Sequence, residues 1–256
     1  MRRRLQEHYD VALPHGRLDV ARQLVLFVAA YLGYEIVRGL VGTAGSRPFD
    51  DATRIIELER ILHVFAEPTI QAWTTTHARW LLDLADWTYL NAHFALTAAA
   101  LVFIYLRRNE SFYFVRNMFM LAMLIALIGY CVYPTAPPRL MPQWGFSDSI
   151  RQFTGINAEQ GAVSLLVNPY AAVPSMHVCF ALMISMPMSR LVHSRLARML
   201  WRIYPLFIVF VVVVTGNHYF TDVALGALTA ALSAALAKQL FARARPDVWA
   251  FARVPA

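Results

Sequence analysis

Residues 199–241 read MLWRIYPLFIVFVVVVTGNHYFTDVALGALTAALSAALAKQLF. Two apolar runs, 199–217 and 219–241, meet at one polar junction, Thr215-Gly-Asn-His-Tyr-Phe-Thr-Asp222. A helix needs roughly 20 mostly apolar residues to cross a hydrocarbon core. Each run has that length, so the pair reads as two membrane helices joined by a short turn. Working outward, the segments 173–192, 113–133, 88–106 and 24–44 repeat the pattern. The expected fold is all-α, an integral membrane bundle of six transmembrane helices forming one membrane-embedded domain over residues 1–256.

Composition agrees. The chain is 58% hydrophobic and only 15% charged, where a soluble domain carries roughly a quarter charged residues. These figures exclude a disordered, fibrous or disulfide-stapled chain. Cys131 and Cys179 lie inside apolar runs and form no metal-spaced pair, so a thiolate zinc site is excluded as well.

A net charge of +7 invites a nucleic-acid reading until its distribution is followed. Arginine collects at Arg2–Arg4, at Arg107, Arg108 and Arg116, at Arg190, Arg195, Arg198 and Arg202, and in the tail at Arg243, Arg245 and Arg253 beside Lys238. Threading six helices alternately puts all four regions on one side, the cytoplasmic side by the positive-inside rule. Both termini are then cytoplasmic in a bacterial-type inner membrane, and nucleic acid is no partner. Glu35 and Arg38 share a face of the first span, either as a structural ion pair or as a substrate contact.

Two segments fall outside. In 51–67, Ile55, Leu58, Ile61, Leu62 and Phe65 form an apolar stripe, with Asp51 or Thr53 as a cap and Pro68 as the stop. This predicts an amphipathic helix lying along the membrane surface, followed by the interfacial residues Trp73, Trp80 and Trp87. The 134–172 loop shows no period. It holds Tyr133-Pro-Thr-Ala-Pro-Pro-Arg139 and leads into Asn168-Pro-Tyr-Ala-Ala-Val-Pro-Ser-Met-His177.

With the Thr215–Asp222 junction, these stretches place polar groups at one membrane face. The fourth and sixth helices both begin there, and a helix N-terminus offers N–H groups and partial positive charge to an anion. Pro174 suits the first turn of the fourth helix, and Ser175 and Met176 donate N–H groups, Ser175 also its hydroxyl. His218 and Asp222 are four apart and share a helix face, so the carboxylate would hold one ring nitrogen protonated. Arg139 offers a fork of donors for phosphate oxygens. The ordinary alternatives are a capping histidine at His177 and a structural hydrogen bond at His218. His93 reads equally as a core histidine and as a substrate contact.

On these residues the chain resembles the type-2 phosphatidic acid phosphatase superfamily. Pro174-Ser-Met-His177 is similar to its second motif, usually Pro-Ser-Gly-His, and His218-x-x-x-Asp222 to the end of its third. Pro137-Pro-Arg139, the Asn168-Pro-Tyr170 lead-in and Gly216-Asn217-His218-Tyr219 resemble the branch that includes the fungal inositol phosphorylceramide synthases. The likeness covers about residues 24–241. It implies a metal-independent, cofactor-free reaction at the extracytoplasmic face. His218 attacks phosphorus, Asp222 orients it, His177 protonates the leaving oxygen, and Arg139 and Ser175 hold the non-bridging oxygens. Asn168, Tyr170, Asn217 and His93 are the further substrate-binding candidates.

The implied partners are a phospholipid or polyprenyl phosphate in the bilayer and, for transfer, a small alcohol acceptor. The usual Ser-Arg before the third-motif histidine is Val211–Val214 here, and the first motif's lysine is absent. Three alternatives stand beside this reading: hydrolysis rather than transfer, a zinc site on His93, His177, His218 and Asp222, and a non-catalytic lipid transporter or scaffold. Oligomeric state is not written in the sequence.

Overall fold

The computed structural model describes residues 16–40, 45–155 and 169–241, without the side chains of 37–40, 110 and 241. The arginines of the N-terminus and tail, Asn168 and the Arg38 side chain lie outside the described residues. Every regular element is helical: α1 (Gly16–Leu40), α2 (Arg47–Ile61), α3 (Glu67–His77), α4 (Arg79–Trp87), α5 (His93–Arg107), α6 (Asn109–Val132), α7 (Ser149–Thr154), α8 (Met176–Leu191), α9 (Arg195–Val214) and α10 (Phe220–Leu236). A π-helical turn, Thr88–Ala92, joins α4 to α5. Among the described residues the one β feature is an isolated parallel bridge between Thr135 and Ala171.

Four helical stretches are long and apolar enough to cross a bilayer: Arg79–Arg107, Ser111–Val132, Arg195–Val214 and Phe220–Leu240. These point to an integral membrane protein. The expected second span is thus one 29-residue rod that starts in the tryptophan-rich segment. The expected fourth, α8, is a shorter apolar helix of 16 residues, about 24 Å long at 1.5 Å per residue. α8 packs against α5, α6, α9 and α10, and Val178, Cys179, Ala181, Met183 and Ile184 are almost wholly buried. A helix enclosed by protein has no lipid thickness to match along its own sides.

The main core runs between α5, α6, α8 and α10, with Ile104, Phe119, Ala122, Ala126, Met183 and Ile184 near its centre. α1 joins it through α6. There the Asp19 carboxylate accepts the Tyr105 and Tyr113 hydroxyls at 2.8 Å each. In a lipid surround such polar pairs hold helices that apolar burial alone would not distinguish.

The outer layer departs from its expected form in three places. α2 begins at Arg47, with Pro48 in its first turn, so neither Asp51 nor Thr53 is its cap. The buried face is Asp51, Ala52, Ile55, Ile56 and Glu59, while Leu58 is 45%, Ile61 74% and Leu62 60% exposed. Ile55 alone of that expected stripe turns inward within α2, because the helix docks on the 134–146 loop through Ala136, Met141 and Phe146. Pro68 does not stop α2; it opens α3, an additional helix carrying Trp73.

Candidate active site

The Thr215–Asp222 junction is built from the end of α9. Gly216 N–H bonds to Val213 O, and Asn217 and His218 N–H groups both bond to Val212 O, at 3.0, 3.0 and 3.1 Å. This is a Schellman stop, with Gly216 in the left-handed region at φ +65. A Cβ there would also stand 2.8 Å from Gln71 Nε2. That amide is committed: it donates to Val214 O and Ser147 O, while Gln71 Oε1 accepts from Ser147 N–H. Gln71 thereby ties the outer loop to the turn.

The chain then enters α10 with His218 Nδ1 3.3 Å from Asp222 Oδ2. Asp222 is wholly buried and His218 nearly so. The same Oδ2 accepts Tyr219 N–H at 3.0 Å, and the Asp222 carbonyl accepts Ser175 N–H at 3.1 Å. One residue thus orients the histidine, caps α10 and anchors the start of α8. With Nδ1 facing the carboxylate, Nε2 is the nitrogen left for chemistry.

His177 sits in the first turn of α8, its ring centroid 6.0 Å from that of His218. Tyr89, from the π-helical turn, stacks on it at 4.1 Å and 18°, and Phe94 meets it edge-on at 5.1 Å. The preceding segment is pressed between two helices. A Cβ on Gly129 of α6 would lie 2.9 Å from Pro174 Cδ and 3.0 Å from Val173 O. A Cβ on Gly226 of α10 would overlap the Ser175 carbonyl. Pro174 follows a cis peptide and precedes the helix rather than occupying its first turn. Ser175 N–H is spent on Asp222, but its hydroxyl is buried with no hydrogen-bond partner among the described residues.

His93 is fully buried. Its Nδ1 is 2.8 Å from the Tyr204 hydroxyl, and its ring centroid is 5.1 Å from that of His177. Arg139 reaches the junction: its backbone N–H bonds to Gly216 O at 2.7 Å, its Nε to Asn217 Oδ1 at 3.2 Å and its Nη1 to Asp148 Oδ2 at 3.4 Å. Asn217 also donates to Thr215 Oγ1 at 2.8 Å, so it braces the turn and the arginine together. Tyr170 lies in the outer layer, its carbonyl bonded to Thr135 N–H and its ring edge-on to Phe49 at 5.7 Å. Asn168 lies outside the described residues.

The expectation that α10 offers its N-terminal N–H groups to an anionic substrate is not met. Tyr219 N–H goes to Asp222, Phe220 N–H to Glu67 Oε1 at 2.9 Å, and Thr221 N–H and Oγ–H to Glu59 Oε1 at 2.6 and 2.7 Å. Both glutamates are fully buried. Burial, then a hydrogen bond and like charge from Glu59, push the Glu67 carboxyl up to about 8. The sequence alone does not single out Glu59 or Glu67. Their signal was positional: Glu59 continues the Ala52/Ile55/Ile56 face at helical spacing. Tyr89, Tyr204, Gly129 and Gly226 were hidden inside apolar runs.

Among the described residues no group of three or more His, Cys, Asp or Glu side chains is placed to hold a metal ion. The zinc set drawn from His93, His177, His218 and Asp222 therefore has no geometric support.

A half-buried His177 and a buried His218 stand at the starts of two apolar helices with their rings 6.0 Å apart, one braced by a carboxylate, which brings together side chains capable of acid–base and nucleophilic chemistry. The PAP2 superfamily model matches residues 53–236, well over half the chain and all of this constellation, and the protein belongs to that superfamily. Membership points to a phosphatase or phosphotransferase. No curated protein and no solved structure matches the chain.

Proposed function

We propose that the protein transfers or hydrolyses a phosphoester on a membrane lipid through a phosphohistidine at His218. The observation that carries this reading is the His218–Asp222 contact at 3.3 Å with the His177 ring 6.0 Å from that of His218. His218 Nε2 attacks phosphorus as the bond to the leaving oxygen breaks, and His177 supplies that oxygen's proton. Water or an alcohol then attacks the phosphohistidine, His177 takes the incoming proton, and His218 is restored. Asp222 keeps Nδ1 protonated and offsets the charge that develops on the ring. The scheme needs no metal or cofactor.

The anion is received at the start of α8 rather than α10. The unpartnered Ser175 hydroxyl and the guanidinium of Arg139 are the donors assigned to its non-bridging oxygens. Arg139 takes the place of the missing Ser-Arg pair, with Asp148 and Asn217 setting its direction. In the bilayer, α1 and the buried α8 complete a six-span arrangement. The arginine-rich 107–116 and 190–202 regions face the cytoplasm, and the histidines the opposite side. The likeness of Pro137-Pro-Arg139 and Gly216-Asn217-His218-Tyr219 to the inositol phosphorylceramide synthases favours transfer of a phosphoinositol-type headgroup to an alcohol. Hydrolysis of polyprenyl phosphate or phosphatidic acid is the second reading, supported by the same dyad.

The test incubates full-length protein with labelled phosphatidylinositol, phosphatidic acid and polyprenyl phosphate, with and without alcohol acceptors. Products are resolved by mass. A headgroup moved to an alcohol supports transfer, and free phosphate or phosphoinositol alone supports hydrolysis. Vanadate should inhibit and chelators should not. Turnover abolished by chelation, or unchanged in His218→Ala and His177→Ala, overturns the phosphohistidine.

A further inference from the structure

Three consecutive backbone N–H groups at the outer end of α10 go to three carboxylates from three helices: Asp222 of α10, Glu67 of α3 and Glu59 of α2. Glu59 and Glu67 each spend Oε1 on α10, and each Oε2 is buried without a donor among the described residues. No arginine or lysine pairs with either among the described residues. Two buried carboxylates side by side without a cation repel each other and lack solvation, so ionising both is strongly disfavoured. Their Oε1 atoms accept from the adjacent N–H groups of Phe220 and Thr221, which brings the two carboxyl groups together, and a proton held by the pair relieves both the repulsion and the lack of donors.

We propose that Glu59 and Glu67 form a carboxyl pair sharing one proton, which clamps the outer end of α10 and so positions the His218–Asp222 dyad, and whose loss at alkaline pH loosens that end. The inference rests on the dyad being the reacting centre. The clamp acts on the residues next to the chemistry: Phe220 and Thr221 lie between His218 and Asp222. Releasing their N–H groups frees the turn that sets the 3.3 Å contact. The titratable groups facing the pair are Asp222 and Tyr219 and, through Asp222, His218. The Tyr219 phenol donates to Ala136 O at 3.2 Å, and the Asp222 carboxylate accepts Tyr219 N–H.

The sign follows from where the proton binds better. Glu67 is raised from 4.5 to about 8 in the folded chain, so the folded state holds the proton more tightly than the unfolded one. That stabilisation is complete below the unfolded value and is lost as pH rises through about 8.

Full-length protein in lipid nanodiscs, wild type, Glu67→Gln and Glu67→Ala, tests this by thermal unfolding and by phosphate release from phosphatidic acid, each across pH. The wild-type midpoint should fall through about pH 8. Glu67→Gln keeps an acceptor for Phe220 N–H and a permanent donor to Glu59, so its midpoint should not fall there. It should also retain at alkaline pH the fraction of its neutral rate that wild type loses. Glu67→Ala should unfold earlier at every pH, with kcat on the order of tenfold to a hundredfold lower and KM little changed.

Parallel wild-type and Glu67→Gln unfolding curves overturn the shared proton. Unfolding curves that separate while the alkaline limbs of activity coincide overturn the positioning role. Inactivity of the wild type on every lipid tested overturns the proposed function alone, with the unfolding curves still deciding the pair.

Discussion

α8 and α10 both begin at the candidate site, and one backbone bond, Ser175 N–H to Asp222 O at 3.1 Å, joins their N-terminal ends. Their donors go to different uses. α10 gives its first N–H groups to Asp222, Glu67 and Glu59, so its partial positive charge is consumed by the protein's own carboxylates. α8 starts instead beside a buried hydroxyl without a partner among the described residues. Helix geometry alone makes both ends welcome to an anion. Buried acids supplied from distant segments decide which end stays available. On the proposed mechanism, one terminus is a mount for the nucleophile and the other a receptor for the phosphate.

Breaking the mount should have the largest effect. His218→Ala removes the nitrogen proposed to attack phosphorus, and we expect phosphate release to fall on the order of ten-thousandfold or more with little change in folding. Asp222→Asn keeps an acceptor for Tyr219 N–H but weakens the hold on Nδ1–H and the charge that offsets the imidazolium. A smaller loss, concentrated in kcat, is expected. An Asp222→Asn enzyme as fast as wild type would mean that the 3.3 Å contact is structural only.

The receptor is probed next by Ser175→Ala. The hydroxyl has no partner to leave stranded, so stability should stay within about 1 kcal/mol of wild type. If the hydroxyl meets a non-bridging oxygen in the transition state, kcat should drop on the order of a hundredfold. A loss of stability without a loss of rate would invert that assignment. Asn217→Ala should cost less, because Asp148 still holds Arg139 at 3.4 Å. A rise in KM larger than the fall in kcat is the expected signature.

The same contrast explains what could be read in advance. The apolar runs, the turn at Gly216 and the His218-x-x-x-Asp222 spacing are local, and a local period or spacing survives into the fold unchanged. The availability of a helix end is not local. Whether Phe220 N–H faces a substrate or Glu67 depends on how α3 docks, some 150 residues away in the chain. In the same way, the stripe on 51–67 has the right period but the wrong rotation. Leu58 and Leu62 would have been the natural inward face of an isolated helix. Packing against Met141 and Phe146 selected Ala52, Ile55, Ile56 and, with them, Glu59. Tyr89 and Tyr204 escaped notice because an aromatic within a membrane span reads as lipid-facing until its neighbour is known.

Glycine gives the finest test of how tightly the two termini are fitted. At Gly226 an added Cβ would overlap the Ser175 carbonyl, whereas at Gly33 of α1 it would meet nothing within 4 Å. Both glycines lie inside helices, so alanine brings each the same gain in helix propensity, about 1 kcal/mol. At Gly33 that gain should appear undiminished as a slightly higher unfolding midpoint. At Gly226 it is opposed by backbone displacement, which typically costs about 1–3 kcal/mol, so Gly226→Ala should be neutral to destabilising. The displacement acts along the line from α10 to Ser175, so activity should fall further than stability. Equal effects of the two substitutions on rate would show that α8 and α10 tolerate separation, and that the bond from Ser175 to Asp222 is not what aligns the two histidines.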